Sequence, residues 1–174
     1  MLDKIAFLDR DGVINVKASE HDYIKKPSEF VFLPMAKEAI RLLNQAGYKV
    51  IVISNQRGIA RNLMTIEDLK AIHHYMCLSL DEVGANIDSI YVCPHDKGCC
   101  SCRKPGIGLF LQAEKVYLVD KERSWMIGDS KSDIEAGIKY GVKTIKIGER
   151  CGIEDYVCNS LWEAANILIR SDKR

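Results

Sequence analysis

Two aspartates one residue apart, Asp9 and Asp11, close the apolar run KIAFL and are followed at once by Gly12. Taken alone, that pattern reads as a turn, because Asp and Gly are good turn formers. It is not alone. The apolar run YKVIVI leads into Ser54, Asn55 and Gln56, and SWMI leads into Gly128 and Asp129, with Asp133 four residues further on. If these runs are parallel strands, a carboxylate pair, a hydroxyl with an amide and another carboxylate meet at one sheet edge. A small number of hard oxygen ligands suits Mg²⁺, which keeps several waters and binds through one or two carboxylates plus substrate phosphate.

A second chemistry lies in CPHDKGCCSCRKP, residues 93–105, which holds four of the seven cysteines and one of the four histidines. Three thiolates and an imidazole, from Cys93, His95 and two of the later cysteines, make a tetrahedral structural zinc set. By spacing alone Cys99 could stand in for Cys100. The clustering and the odd number of cysteines favour a metal over a disulfide framework in a reducing compartment. Cys77, Cys151 and Cys158 stand apart and read as small apolar residues.

The elements that must position these groups follow from periodicity. KIAFLD, YKVIVIS, DSIYVC, SWMIGD and VKTIKIG read as strands, alternating with helical patterns such as AKEAIRLLNQAG, GLFLQAEKVY and DIEAGIKYG. That alternation predicts an α/β fold with a doubly wound, mostly parallel sheet. Gly47, Gly84 and Gly141 fall where left-handed helix caps would sit, and Thr65 can cap the long helix. In that helix Ile66, Leu69, Ile72, Met76, Leu80 and Val83 share one stripe, and His73 and His74 receive no role. Residues 12–34 have no clean period and predict a long loop at the ligand-binding edge of the sheet. SLWEAANILIR reads as a packing helix, followed by a frayed SDKR tail.

With 174 residues the chain predicts a single domain, 1–174, carrying the zinc-binding loop 93–105. A net charge of +1 speaks against a nucleic-acid or membrane partner and for a small ligand. The start MLDKIAFLDRDG lacks a signal-peptide layout, which makes the cytoplasm the expected location; a monomer is the expected state.

The set FLDRDG, SNQ, RKP and GDSKSD, in that order, resembles the haloacid dehalogenase superfamily of aspartate-nucleophile phosphatases. The CPH and CSC segments before RKP narrow the resemblance to the family of D,D-heptose 1,7-bisphosphate phosphatases and related histidinol-phosphate phosphatases. It spans nearly the whole chain. The resemblance implies that Asp9 attacks phosphorus and becomes an aspartyl-phosphate. Asp11 protonates the leaving oxygen and then helps deprotonate the hydrolytic water. It implies Mg²⁺ on Asp9, the backbone carbonyl of Asp11 and Asp129. Ser54 and Asn55, with Gln56 in the same motif, would face the phosphoryl oxygens, and Lys104 would meet developing negative charge. Asp133 would stand behind, orienting Lys104 or a metal-bound water.

The family pattern C-x-C-R-K-P selects Cys100 and Cys102, with Cys93 and His95, as the Zn²⁺ ligands and leaves Cys99 spare. The metal then ties the loop and aims Arg103 and Lys104 at phosphate. Forty-odd residues between Asp9 and Ser54 leave no room for a separate cap domain. Arg103, beside Lys104, suits a second anionic group, weighed against a solvated surface arginine. The substrate implied is a small phosphorylated molecule, with removal of the C7 phosphate of D-glycero-D-manno-heptose 1,7-bisphosphate, a step in heptose precursor synthesis, set ahead of histidinol-phosphate hydrolysis. Glu20 or Asp22 could answer the amine of histidinol phosphate. A zinc-ribbon-like binding module is the reading from another class. One departure stands out: the family commonly has lysine after the metal-binding aspartate, where this chain has Ser130 and then Lys131.

Overall fold

The strands are apolar on both sides, as expected when helices cover both faces of a sheet. The computed structural model describes residues 2–20 and 22–172. Six strands, β1 (Ile5–Leu8), β2 (Lys49–Asn55), β3 (Ser89–Cys93), β4 (Trp125–Gly128), β5 (Lys143–Ile147) and β6 (Tyr156–Cys158), lie in the order β3-β2-β1-β4-β5-β6. Every neighbouring pair is parallel. The helices are α1 (Ala36–Gln45), α2 (Ile66–Asp81), α3 (Gly108–Glu114), α4 (Lys131–Tyr140) and α5 (Leu161–Ser171).

Period-two alternation divides the core. Ala6, Leu8, Val50 and Val52 face α1, α2 and α5, while Ile5, Phe7, Ile51 and Ile53 face α3 and α4. On the second face Phe7 and Tyr140 pack on Phe110 with ring centroids 4.9 and 4.5 Å away. Chain connections leave the central β1 toward β2 on one side, and the sheet continues through β4 on the other. The carboxyl end of β1 is therefore the switch point where open α/β sheets bind ligands.

The caps form as expected. Thr65 Oγ1 accepts from Asp68 N and Asp68 Oδ2 accepts from Thr65 N, and Gly47, Gly84 and Gly141 have φ of +79°, +70° and +92°. In the α2 stripe Leu69, Ile72, Met76 and Leu80 are buried, but Ile66 is exposed, because it opens the helix before the sheet is reached. β6 was not expected; three residues are too short to show a period. Residues 12–34 are irregular with one 3₁₀ turn, Pro27–Glu29, yet they are anchored: Val13 and Ile14 are buried, and Val16 N and Leu33 N bond Val31 O and Ile14 O. The tail is less frayed than expected. Asp172 pairs with Lys4 and Arg123, while Lys173 and Arg174 lie outside the described residues. No helix among the described residues is long and apolar enough to cross a membrane.

Candidate active site

Register delivers the site. Leu8 stands opposite Val52 of β2 and Ile127 of β4, so the residues that follow these strands emerge side by side. Asp9, Asp11, Lys17, Ser54, Asn55, Arg103, Lys104, Asp129, Ser130 and Asp133 line one cleft of about 220 Å³. A second cavity of about 370 Å³ adjoins it and shares Asn55, Arg103, Lys104 and Ser132. A larger cavity, about 580 Å³, opens at the other end of the strands, near Lys4, Lys49 and Arg123. Its cations are already paired with Asp172 and Asp88, which leaves little charge for an anion.

At the centre, Lys104 Nζ is bound by Asp9 Oδ1 (2.9 Å), Asp133 Oδ1 (2.7 Å) and Ile53 O (2.7 Å), with only 1% of its side chain exposed. Burial would lower its pKa, but Asp133 and Asp9 outweigh that and raise it. Burial pushes the Asp9 carboxyl up, against the pull of Lys104. Asp133 is held down as an anion despite its burial, because Lys104 and Ser130 stabilise the charge. Its Oδ2 accepts from Ser130 N (2.9 Å), so both its oxygens are occupied. Gly128 makes room: a Cβ there would stand 2.1 Å from the Asp133 Cβ.

Asp11 points elsewhere. Its carboxylate accepts from Arg10 Nη2 (2.9 and 3.0 Å), Arg10 Nε (3.2 Å), Asn15 Nδ2 (2.8 Å) and Gln56 Nε2 (3.0 Å). Burial would raise its pKa, but the Arg10 charge and these hydrogen bonds lower it overall. Arg10 is fully buried and its Nη1 lies 3.3 Å from His73 Nε2. His73 is thus a satisfied neighbour of Arg10.

The amides differ from the expectation. The Asn55 side chain bonds both the N–H (3.0 Å) and the C=O (3.2 Å) of Lys104, so it sets that residue's position. Gln56 donates to Asp11 and to Ser54 Oγ (2.9 Å), which leaves the Ser54 proton to point at a ligand. Both amides have protein partners, as buried amides require, although Asn55 still lines both cavities. Lys131 is 63% exposed beside Glu135 and does not turn into the cleft. Lys17 does, pairing with Asp129 Oδ2.

Two groups of side chains offer donor atoms for a metal ion. Asp9, Asp129 and Asp133 each offer an oxygen within 4.8 Å of the others. Asp129 Oδ1 is buried and has no hydrogen-bond partner among the described residues, and an orphaned carboxylate oxygen suits a hard cation. Gly12 has φ +85°, and a Cβ there would stand 2.2 Å from Asp129 Oδ2, so only glycine admits this close approach. The carboxylates fit a divalent ion.

In the loop, Cys93, His95, Cys100 and Cys102 also converge within 4.8 Å. Sulfur separations of 3.4 Å (Cys93 to Cys100) and 3.3 Å (Cys100 to Cys102) approach the ~3.8 Å edge of a tetrahedron with ~2.3 Å zinc–sulfur bonds. Burial and neighbouring sulfurs push Cys102 up to about 12, whereas hydrogen bonds outweigh burial and bring Cys100 to about 6. Three such close thiols cannot all ionise without a cation. Cys99 is exposed, with its Sγ on Lys97 O, outside this group.

Arg10, Asn15 and Lys17 are the contributors that the sequence reading missed. Arg10 stands inside the quoted FLDRDG motif, and its place between two acids was the available signal. Lys17 lies in the aperiodic loop, where nothing marked it.

Comparison with known proteins agrees with this geometry. The family described as Polynucleotide kinase 3 phosphatase matches residues 4–154. The chain is 42% identical over 145 residues to D-glycero-beta-D-manno-heptose-1,7-bisphosphate 7-phosphatase of Rhodopseudomonas palustris, covering 79% of each chain. Against the Haemophilus influenzae protein of the same name it is 35% identical over 187 residues, covering 99% of this chain and 100% of that one. The crystal structure of D,D-heptose 1,7-bisphosphate phosphatase from B. bronchiseptica, complexed with magnesium and phosphate, is similar with a TM-score of 0.87 and 33% identity, over 97% of this chain and 99% of that one. Strand-end carboxylates, an interposed lysine and a cysteine-histidine loop thus occur in a chain that belongs to the haloacid dehalogenase-like phosphatases, in the family of the D-glycero-beta-D-manno-heptose-1,7-bisphosphate 7-phosphatases.

Proposed function

We propose that this chain is a phosphomonoester hydrolase that removes the C7 phosphate of D-glycero-D-manno-heptose 1,7-bisphosphate and leaves the 1-phosphate in place. The observation that carries the reading is the convergence of Asp9, Ser54, Lys104 and Asp129 in one cleft, with Arg103 at the cavity that adjoins it. Arg103 Nη1 is buried without a partner among the described residues, a donor suited to a second anionic group on the substrate.

Asp9 attacks phosphorus in line. A P–O bond forms to its carboxylate as the bond to the sugar oxygen breaks, and that oxygen takes a proton from Asp11, which regains one from water in the second step. Water then attacks the aspartyl-phosphate and releases inorganic phosphate. Lys104 faces the developing charge, held in place by Asp133 and by the Asn55 grip on its backbone. Ser54 Oγ donates to a phosphoryl oxygen. Asp11, kept ionised by Arg10, Asn15 and Gln56, suits the step that takes a proton from water; the acid step requires it to leave Arg10, which raises its pKa. Asp9, the Asp11 carbonyl and Asp129 would hold Mg²⁺, which when bound screens the repulsion between the nucleophile and the phosphate dianion. Cys93, His95, Cys100 and Cys102 would hold a structural Zn²⁺, and Cys102 is followed directly by Arg103 and Lys104.

The deciding measurement is kcat/KM for both anomers of the heptose bisphosphate and for histidinol phosphate under one Mg²⁺ condition. Preference for the bisphosphate, with release of the 7-phosphate, is expected. Preference for histidinol phosphate overturns the substrate, and a flat profile would indicate a general small-molecule phosphatase.

A further inference from the structure

The two lysines of the cleft are held differently. Lys104 has three partners and is almost wholly buried, so its ammonium is a fixed part of the site. Lys17 has one carboxylate partner, Asp129, and 51% of its side chain is exposed. It emerges just beyond Val16, whose N–H bonds Val31 O, so its backbone is tethered while its side chain can swing.

Charge counting separates them further. Asp11 is neutralised by Arg10. Counted in their ionised forms, the state in which they could hold a cation, Asp9, Asp129 and Asp133 carry three formal negative charges, and Lys104, in contact with two of them, returns one, which leaves −2, the complement of a divalent cation. With Lys17 in place the cluster carries only −1. Lys17 also takes Asp129 Oδ2, while Oδ1 of the same carboxylate stays buried and unpartnered. An ammonium offers hydrogen bonds to one oxygen, whereas the geometry leaves the other waiting.

We propose that Lys17 is a tethered counter-cation: it neutralises Asp129 when no divalent ion is bound, is displaced when one binds, and then presents its ammonium to the phosphorylated substrate at the cleft mouth. The proposal rests on the assignment of Asp9 and Asp129 as Mg²⁺ ligands. It gives the chain two consequences of one residue with opposite sign. Lys17 weakens metal binding by competition and strengthens anion binding once the metal is in place.

The test is calorimetric titration of the full chain with Mg²⁺, followed by titration with inorganic phosphate at saturating Mg²⁺, for wild type, K17M, K17R and D129N. K17M is expected to bind Mg²⁺ about threefold to tenfold more tightly and phosphate weaker by a similar factor. K17R, which keeps the charge, should stay near wild type in both. A K17M variant with unchanged or weaker Mg²⁺ affinity overturns the proposal, and weakening of both ligands would mean that Lys17 only supports the loop. D129N separates the two layers. If it loses Mg²⁺ affinity while K17M gains none, Lys17 alone is misread; if it binds Mg²⁺ like wild type, the ligand assignment falls and the proposal with it.

Discussion

The carboxylate centre and the cysteine centre meet at Arg103 and Lys104, and they differ in what holds them together without an ion. Each acid of the first has a protein cation: Asp9 and Asp133 share Lys104, Asp11 has Arg10 and Asp129 has Lys17. Asp9 and Asp129 directly follow β1 and β4, so sheet register places them. In the second centre only Cys93 lies on a strand; His95, Cys100 and Cys102 stand on irregular chain and face one another. The strand-end centre is therefore assembled by sheet register, whereas the loop centre is held by contacts among its own thiols and imidazole, which a zinc ion, in the function proposed, would replace with metal bonds.

The largest expected effect comes from D9N. An amide is isosteric but not nucleophilic, so turnover should fall by about 10⁴-fold or more with the melting midpoint preserved. Wild-type turnover in protein checked by mass spectrometry for deamidation would remove Asp9 from the mechanism. C100S should cost about a hundredfold in kcat, because Lys104 shifts on a loosened loop. Its zinc content should drop below one per chain while calorimetric Mg²⁺ affinity stays near wild type. Loss of Mg²⁺ affinity as well would show that the two centres are not separately assembled.

G12A tests the close packing of the first centre. Its positive φ and the 2.2 Å approach to Asp129 Oδ2 should cost about 1–3 kcal/mol in denaturant unfolding. An unchanged midpoint would mean that Asp129 gives way freely.

His73 carries a pH signature. Burial, with Arg10 adding to it, lowers its pKa from 6.5 to about 4. Between those values the unfolded chain is protonated and the folded chain is not, so stability falls as pH drops from 6.5 toward 4 and is unaffected above. H73Q cannot titrate and should flatten that limb by an amount on the order of 3 kcal/mol. Equal slopes in both proteins would place the His73 proton in the folded state. The smallest effect belongs to C99S, expected to keep its zinc and to lie within about 0.5 kcal/mol of wild type. If C99S lost the metal and C100S kept it, the loop register would be wrong by one.

Much of this was legible along the chain. Apolar runs ending in Asp9, Ser54 and Asp129 revealed parallel strands and their active edge, because strand period and turn chemistry are local properties. The clustering of four cysteines and His95 in residues 93–105 revealed a thiol-rich loop, while the choice of Cys100 over Cys99 came from the family resemblance. β6 escaped, since three residues carry no period. So did the partners of the amides: Asn55 and Gln56 read as phosphate contacts, and only the folded chain shows Lys104, Asp11 and Ser54 taking those groups.

Local order thus determined the sheet, its edge and the residue types that gather there. Tertiary structure alone decided which charge pairs with which. Arg10 pairs with its chain neighbour Asp11, but it also reaches His73 of α2, 63 residues away in sequence. Lys17 reaches Asp129 across 112 positions of chain because the aperiodic loop after β1 passes close to the residue that follows β4. Coulomb interactions depend on distance in space and on burial, and neither quantity exists until the sheet has brought distant strand ends together.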